Sequence, residues 1–253
     1  MRPQSQSALL EEAGRVAKSG KRVLIGERSG KYLYDSNTPD LVIQEFADNG
    51  TENGKRRNRS KELSALRNEI SSYLFEYLDG FGIPTHFVSR LTETEMMVKR
   101  TELIPVTLSI YNIAARSLAQ RFDLKEGELL EFPVFEYFHI AKDKSPNWIN
   151  EYHLYSFDIL TPDELKQINR IASKVNAVLR GLCDRRHLVL AYLQLEFGRS
   201  KEQIVLSDEL SPITCHFIDV STDDPKRRER FHANHEDAIE TFTELRNRLT
   251  LKV

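Results

Sequence analysis

With 253 residues the chain is long enough to bury a sizeable core in one large domain or in two closely packed lobes. Its 36 Lys and Arg nearly balance 38 Asp and Glu, and the net charge of -2 excludes a global field that would recruit nucleic acid or an anionic membrane. Cys183 and Cys215 form no disulfide framework and no metal-ligand spacing, no apolar run approaches the roughly 20 residues of a membrane span, and MRPQSQSALLEEAG lacks a signal-peptide pattern, so the expectation is a soluble, cytoplasmic protein with reduced thiols.

Residues 5 to 19 carry Leu9, Leu10, Ala13 and Val16 at helical spacing, which predicts a short amphipathic helix. Lys21 to Ile25, Lys31 to Tyr34 and Leu41 to Phe46 are β-type runs; GERSG is the turn between the first two, and the three predict a β-meander. GERSGK is one residue short of the G-x-x-x-x-G-K-[ST] phosphate loop and has Tyr32 where Ser or Thr would meet magnesium. Lys31 is then either a phosphate contact from a turn bending over phosphates or an exposed strand lysine. DNGTENGKRRNRSK, Asp48 to Lys61, reads as a loop. Five of the seven residues from Lys55 to Lys61 are basic, but without interleaved aromatics they suit an anionic small molecule or solvent better than nucleic acid.

Glu62 to Leu78 places Leu63, Leu66, Ile70, Tyr73, Leu74 and Tyr77 on one stripe, which predicts a helix stopped by Gly80 and Gly82. Pro84 opens two β-like runs, THFVSRL and MMVKRTELI, joined by TETE. Beyond Pro105 come a strand (Val106 to Ile110), a helix (Ala114 to Phe122), a strand (Val134 to Ile140) and the loop KDKSPNW. This succession argues for an α+β fold rather than a repeating βαβ one. Thr161 opens a long helix over Pro162 to Leu182, with Pro in the first turn and Asp163 and Glu164 near the N-terminus. Asp224 to Arg230 reads as a charged linker and Glu236 to Leu249 as a closing helix.

Between the last two helices, LQLEFGRSKEQIVLSDELSP predicts a hairpin of strands Leu193 to Gly198 and Ile204 to Leu210 around the loop Arg199 to Gln203. If it is symmetric about Glu202, Glu196 and Asp208 face each other, and facing carboxylates repel. A Mg2+ ion held by one or two carboxylates and the phosphates of a nucleotide would remove the repulsion. A shifted register, or hydration of both acids, would remove it as well.

From about Arg22 onward, EISSYLFEYLDGFGIPTHFVSRLTETEMMVKR, ELIPVTLSIYNIAARSLAQR, INEYH, LQLEFGR and SDELSPITC resemble, in order and spacing, the SAICAR synthetase (phosphoribosylaminoimidazole-succinocarboxamide synthase) family of purine biosynthesis. The resemblance implies a two-lobed α+β fold with an ATP cleft between a β-rich lobe, 21–104, and a larger α+β lobe, 105–253, after a helical extension over 1–20. It implies ATP and Mg2+ as cofactors, with an imidazole carboxylate activated as an acyl phosphate that the amine of aspartate attacks. Glu196 matches the family's LEFG glutamate and Asp208 the first acid of its DE-SP motif, which implies both as magnesium ligands. Lys31 and Glu27 match the turn E-G-K-A-K and are implied in nucleotide binding, and Lys31, Glu196 and Asp208 make up the expected catalytic set. Asn112 and Ser117 match R-N-I-A-A-G-S.

The other end of the expected site departs from the family. Tyr111 and Arg116 replace the arginine and glycine of R-N-I-A-A-G-S, Tyr192 and Gln194 replace the aspartate and lysine of D-x-K-L-E-F-G, and Ile213 and His216 replace the aspartate and arginine of S-P-D-[ST]-x-R. In the turn, Arg28 and Ser29 replace glycine and lysine. Neither Tyr nor neutral His offers a bidentate, permanently charged fork. The expectation is an altered pocket lined by Tyr111, Asn112, Arg116, Ser117, Tyr192, Gln194 and His216 for a different ribotide-like substrate, as in purine-analogue nucleoside pathways of the coformycin and pentostatin type. The alternatives are a true SAICAR synthetase in which Arg116 or the Lys55 to Lys61 run replaces the lost cations, and a non-catalytic nucleotide-binding paralogue. A homo-oligomer is compatible with each.

Overall fold

The structure, a computed structural model, describes residues 22–47, 54–140, 146–201, 203–231 and 237–251, with backbone alone at 54–60 and 116–117. The helix expected over 5 to 19 lies outside the described residues. Strands β1 (Leu24–Arg28), β2 (Lys31–Asp35), β3 (Leu41–Phe46), β4 (Phe87–Arg90) and β5 (Glu95–Lys99) form an antiparallel sheet in the order β1-β2-β3-β5-β4. The β1–β2 turn uses only Ser29 and Gly30, both at positive φ (50° and 68°), as a tight hairpin turn of type I′ requires. It is shorter than the expected GERSG turn, and Lys31 opens β2 where the β-type run was expected to begin, but as a buried residue and not an exposed strand lysine.

Helix α1 (Gly54–Asp79) starts well before the expected Glu62, because Lys and Arg are good helix formers and the basic run extends the helix rather than looping out. Leu66, Ile70, Leu74 and Leu78 are buried on it, and Leu63, Tyr73 and Tyr77 pack half-buried against the same core. The chain then runs through β6 (Glu102–Ile113), α2 (Arg116–Phe122), β7 (Leu129–His139), β8 (Asn147–Ile149), α3 (Glu151–Ser156), α4 (Pro162–Asp184), β9 (Leu188–Ser200), β10 (Gln203–Ser207), β11 (Cys215–Asp219), α5 (Pro225–Arg228) and α6 (Ala238–Thr250). The run MMVKRTELI is thus divided between β5 and β6. The linker expected at Asp224 to Arg230 contains the single turn α5, capped by Asp224.

The second sheet has the order β10-β9-β6-β7-β8, with β11 also on β9. β10 pairs with Glu196–Ser200 of β9, and β11 with Leu188–Leu193. They therefore follow one another along a single edge of β9, and residues 208–214 span the gap between them. One face of this sheet places Leu108, Ile110, Leu193, Leu195 and Phe197 against Leu165, Ile168, Ala172, Val175 and Leu179 of α4 and against α1. α4 begins at a capping box, Thr161 with Glu164, and has Pro162 in its first turn. Cys183 and Cys215 are buried free thiols, both pushed upward in pKa by burial, Cys215 to about 12. Among the described residues no helix is long and apolar enough to cross a membrane.

The two sheets are tied directly. His86 N–H donates to the Leu206 carbonyl at 2.8 Å, and the Gln44 amide donates to the Asp208 carbonyl at 3.2 Å. At Gly198 a Cβ would lie 2.6 Å from the Thr101 Cβ, so a glycine is required where β9 passes the link between β5 and β6.

Candidate active site

The register of the β9–β10 hairpin differs from the expected one by a residue. Gln203 pairs with Ser200, so Ser207, not Asp208, lies opposite Glu196. The cause is a turn shorter than the expected Arg199 to Gln203 loop, since the ladder runs on to the Gln203–Ser200 pair. Asp208 stands just past the strand at φ 67°, a left-handed conformation that redirects the chain into the 208–214 span. The two acids still interact, because that redirection brings Asp208 beside the face that carries Glu196.

Lys31, buried at the start of β2, lies 2.9 Å from Asp208 Oδ1 and 2.7 Å from Glu209 Oε2. Arg67 of α1 grips Glu209 with Nε at 3.2 Å and Nη2 at 2.6 Å, and the Ser211 hydroxyl donates to Glu209 Oε1 at 2.5 Å. Burial alone would raise the Glu209 carboxyl, but Lys31 and Arg67 outweigh it and bring it down to about 2. Burial likewise opposes the charge on Lys31, and Asp208 and Glu209 together raise its pKa above the ordinary lysine value. On Glu196, burial and then Asp208 push the carboxyl up to about 7 against the pull of Arg28 and Lys31. Arg28, the last residue of β1, reaches across to Glu196 Oε1 at 2.6 Å, while Glu196 Oε2 is buried with no hydrogen-bond partner.

These groups form one end of a cavity of about 270 Å³ between the sheets. Ile25, Leu33, Val42, Val98 and Leu103 supply its apolar wall, and Arg28, Lys31, Glu196 and Asp208 its charged end. His86 also lines it, with its imidazole pulled down to about 3 by burial and by Lys99 and Lys31, and with Nε2 buried and unpartnered. Arg67, Glu209, His86 and Gln44 were not singled out by the sequence reading, and Arg28 was noted only as a departure from the family turn. Only Glu209 had a signal, since it follows Asp208 in the same motif. Glu27 is exposed on β1 and is not among the residues lining the cavity.

The other expected site residues fall on both sides of the second sheet. β6 and β9 pair Thr107 with Glu196, Ser109 with Gln194 and Tyr111 with Tyr192, so these six residues share the face opposite the main core. Tyr111 and Tyr192 do not line an open pocket as expected: they are 3% and 5% exposed, their ring centroids are 4.8 Å apart, and Leu118, Leu130 and Val134 cover them. Two large rings directly opposite on one face find more contact with each other and with α2 than with solvent. Asn112 is likewise corrected. It points into the core, where its amide donates to Asn176 Oδ1 at 2.8 Å and to the Leu190 carbonyl at 2.9 Å, because alternation puts it on the other face from Tyr111. Gln194 is half-buried two residues from Glu196, and His216, opposite Tyr192, has Nε2 2.9 Å from Glu229. The side chains of Arg116 and Ser117 lie outside the described part of the structure. The described cation beside the tyrosines is Arg121 of α2, 2.6 Å from buried Glu136, which sits opposite Ser109.

The family model for SAICAR synthetase matches residues 27–246. The chain belongs to the SAICAR synthetase family. Phosphoribosylaminoimidazole-succinocarboxamide synthase of Clostridium perfringens (strain SM101 / Type A) is 35% identical over 227 residues, 89% of this chain and 97% of that protein. The crystal structure of the Ehrlichia chaffeensis synthase superimposes with a TM-score of 0.80 at 31% identity, covering 91% of this chain and all of the other. A type-2 SAICAR synthetase in complex with ADP gives a TM-score of 0.79 at 31% identity, covering 89% and 97%. The SAICAR synthetase fold, α+β with two sheets, is therefore present, and with it the framework of an ATP-dependent ligase.

The family's expected metal fits this donor set only in one way. Among the described residues no group of three or more His, Cys, Asp or Glu is placed to hold an ion, so an all-protein cage is absent there. Two carboxylates and the orphaned, buried Glu196 Oε2 suit a magnesium ion that completes its shell with phosphate oxygens and water.

Proposed function

We propose that this chain catalyses the SAICAR synthetase reaction, ATP-dependent amide formation between the carboxylate of an aminoimidazole ribotide and the amine of aspartate. The observation that carries this is the cavity between the sheets, apolar at one end and lined by Lys31, Glu196 and Asp208 at the other. An apolar slot suits a nucleobase, and a cation with two acids suits polyphosphate and its metal. The relatives named above bear the name of this enzyme along almost their whole length, which favours it over a purine-analogue nucleoside pathway.

In this reading residues 21–104 and 105–253 act as the two lobes. Bound Mg2+ would neutralise charge on the transferred phosphoryl group. Glu196 and Asp208 would hold it, and Lys31, kept charged by its two carboxylates, would face the phosphates. Glu209 and Arg67 fix Lys31 in place, and the Gln44 bond to the Asp208 carbonyl fixes the metal-bearing turn. Positioning and charge neutralisation are the chain's contributions to the step. Growth of a purine-auxotrophic host lacking the synthetase, together with phosphate release dependent on the ribotide and on aspartate, is the expected result.

A second reading, the same activation applied to another ribotide-like substrate, is favoured by the Tyr111–Tyr192 pair. It puts neutral, packed rings where the family motifs carry an arginine and an aspartate. No complementation, but phosphate release with another member of a panel of imidazole and purine-derived ribotides, would select it.

A further inference from the structure

Arg28 has a role that the ligase reading leaves unassigned. Its guanidinium crosses from the first sheet to the second and takes one oxygen of Glu196 at 2.6 Å, leaving the other oxygen buried and bare. The ion-paired groups around this point are Arg28, Lys31 and Arg67 with Glu196, Asp208 and Glu209, and Lys99 and Arg100 also line the cavity. Lys31 is already shared by Asp208 and Glu209, so Arg28 is the counter-ion that contacts Glu196. A divalent ion approaching Glu196 meets this guanidinium a few ångströms away, inside a cleft where like charges are weakly screened. One of the two cations must yield. Glu196 is fixed in the middle of a long paired strand, whereas Arg28 ends a strand at the edge of its sheet and keeps a third of its side chain exposed.

We propose that Arg28 is a tethered counter-ion that occupies the metal's carboxylate in the nucleotide-free protein and releases it when metal and nucleotide arrive. It is a positioning residue: it neutralises Glu196 and ties the two sheets together across the cleft. Its release sets how much metal is needed for nucleotide to bind. Freed from Glu196, the fork remains in the same cavity wall, where its geometry suits a phosphate. This rests on the reading of Glu196 as a ligand of the nucleotide's metal.

The test is the protection of the protein against thermal unfolding by ADP, titrated with MgCl2 at fixed ADP. In Arg28→Ala the Mg2+ concentration for half-maximal protection should fall at least five-fold while the ligand-free protein melts at a lower temperature. Arg28→Lys, which keeps the charge, should stay near the parent value, and Arg28→Gln serves as the neutral variant if alanine does not fold. In a Glu196→Gln background, where Mg2+-dependent protection is itself lost, removing Arg28 should lower the ligand-free melting temperature little further, because the contact it makes is already gone. An unchanged or higher midpoint in the neutral variants, with the parent still protected by Mg2+ and ADP, overturns the counter-ion role and leaves the ligase reading standing. A parent protein that gains no Mg2+-dependent protection overturns both.

Discussion

β6 and β9 carry two different sites on one face, and they are built on opposite principles. At the Glu196 end, charge is concentrated: three carboxylates and three basic side chains from β1, β2, α1, β9 and the 208–214 span meet within ion-pair distance. Four residues along the same strands, at Tyr192 and Tyr111, the face is closed by aromatic packing and is neutral but for one ion pair, Arg121 with Glu136. A buried charge survives only with partners, and those at the first end come from elements distant in the chain. The second end holds one such pair, between α2 and β7, and its rings and hydroxyls meet across β6 and β9. The charged end therefore depends on more elements of the fold than the aromatic end does.

Breaking the charged end should have the largest effect. Glu209→Gln removes the carboxylate that Arg67 and Lys31 share and leaves Asp208 on Lys31, and the destabilisation should be about 3–5 kcal/mol by urea unfolding. The pH dependence has a matching sign. Glu209 is held near 2, below its unfolded value of 4.5. Its stabilisation is complete above about 4.5 and is lost as pH falls through about 2, because the unfolded chain then binds the proton more readily. Glu209→Gln should flatten that acid limb, and a limb of unchanged slope would show that the carboxylate is not the acid-labile group. Next in size, Glu196→Ala or Asp208→Ala should remove the Mg2+-dependent part of ADP protection and lower phosphate release by roughly 10²-fold or more. Full Mg2+-dependent protection in both would move the metal elsewhere.

Much of this division was legible in the residues, and the failures are instructive. The motifs placed Lys31, Glu196 and Asp208 together, and they meet at one end of the cavity. The hairpin was set one residue out of register, because composition marks where a turn lies but not how few residues it uses. The contact between Lys31 and Asp208 survived that slip only because Asp208 leaves the strand at positive φ. Asn112 was assigned by its motif, yet strand alternation turns it toward Asn176 in the core. Arg28 stood out only as a departure from the family turn and Arg67 carried no signal, since an arginine on a strand end or on a helix becomes part of a site only when another sheet is folded against it.

The smallest predicted effect tests the neutral end. The Tyr192 hydroxyl and the Ser109 hydroxyl lie 3.2 Å apart, and Ser109 is fully buried. Tyr192→Phe keeps the ring packed at a tilt against Tyr111 and removes only this bond, so it should destabilise the protein by about 1 kcal/mol. ADP protection and its Mg2+ midpoint should not move, because neither ring lines the cavity between the sheets. If instead stability is unchanged and KM for the ribotide rises ten-fold, the tyrosine hydroxyl faces substrate in the working enzyme. In that event the aromatic pair opens on binding, and the two ends of the face act as one site.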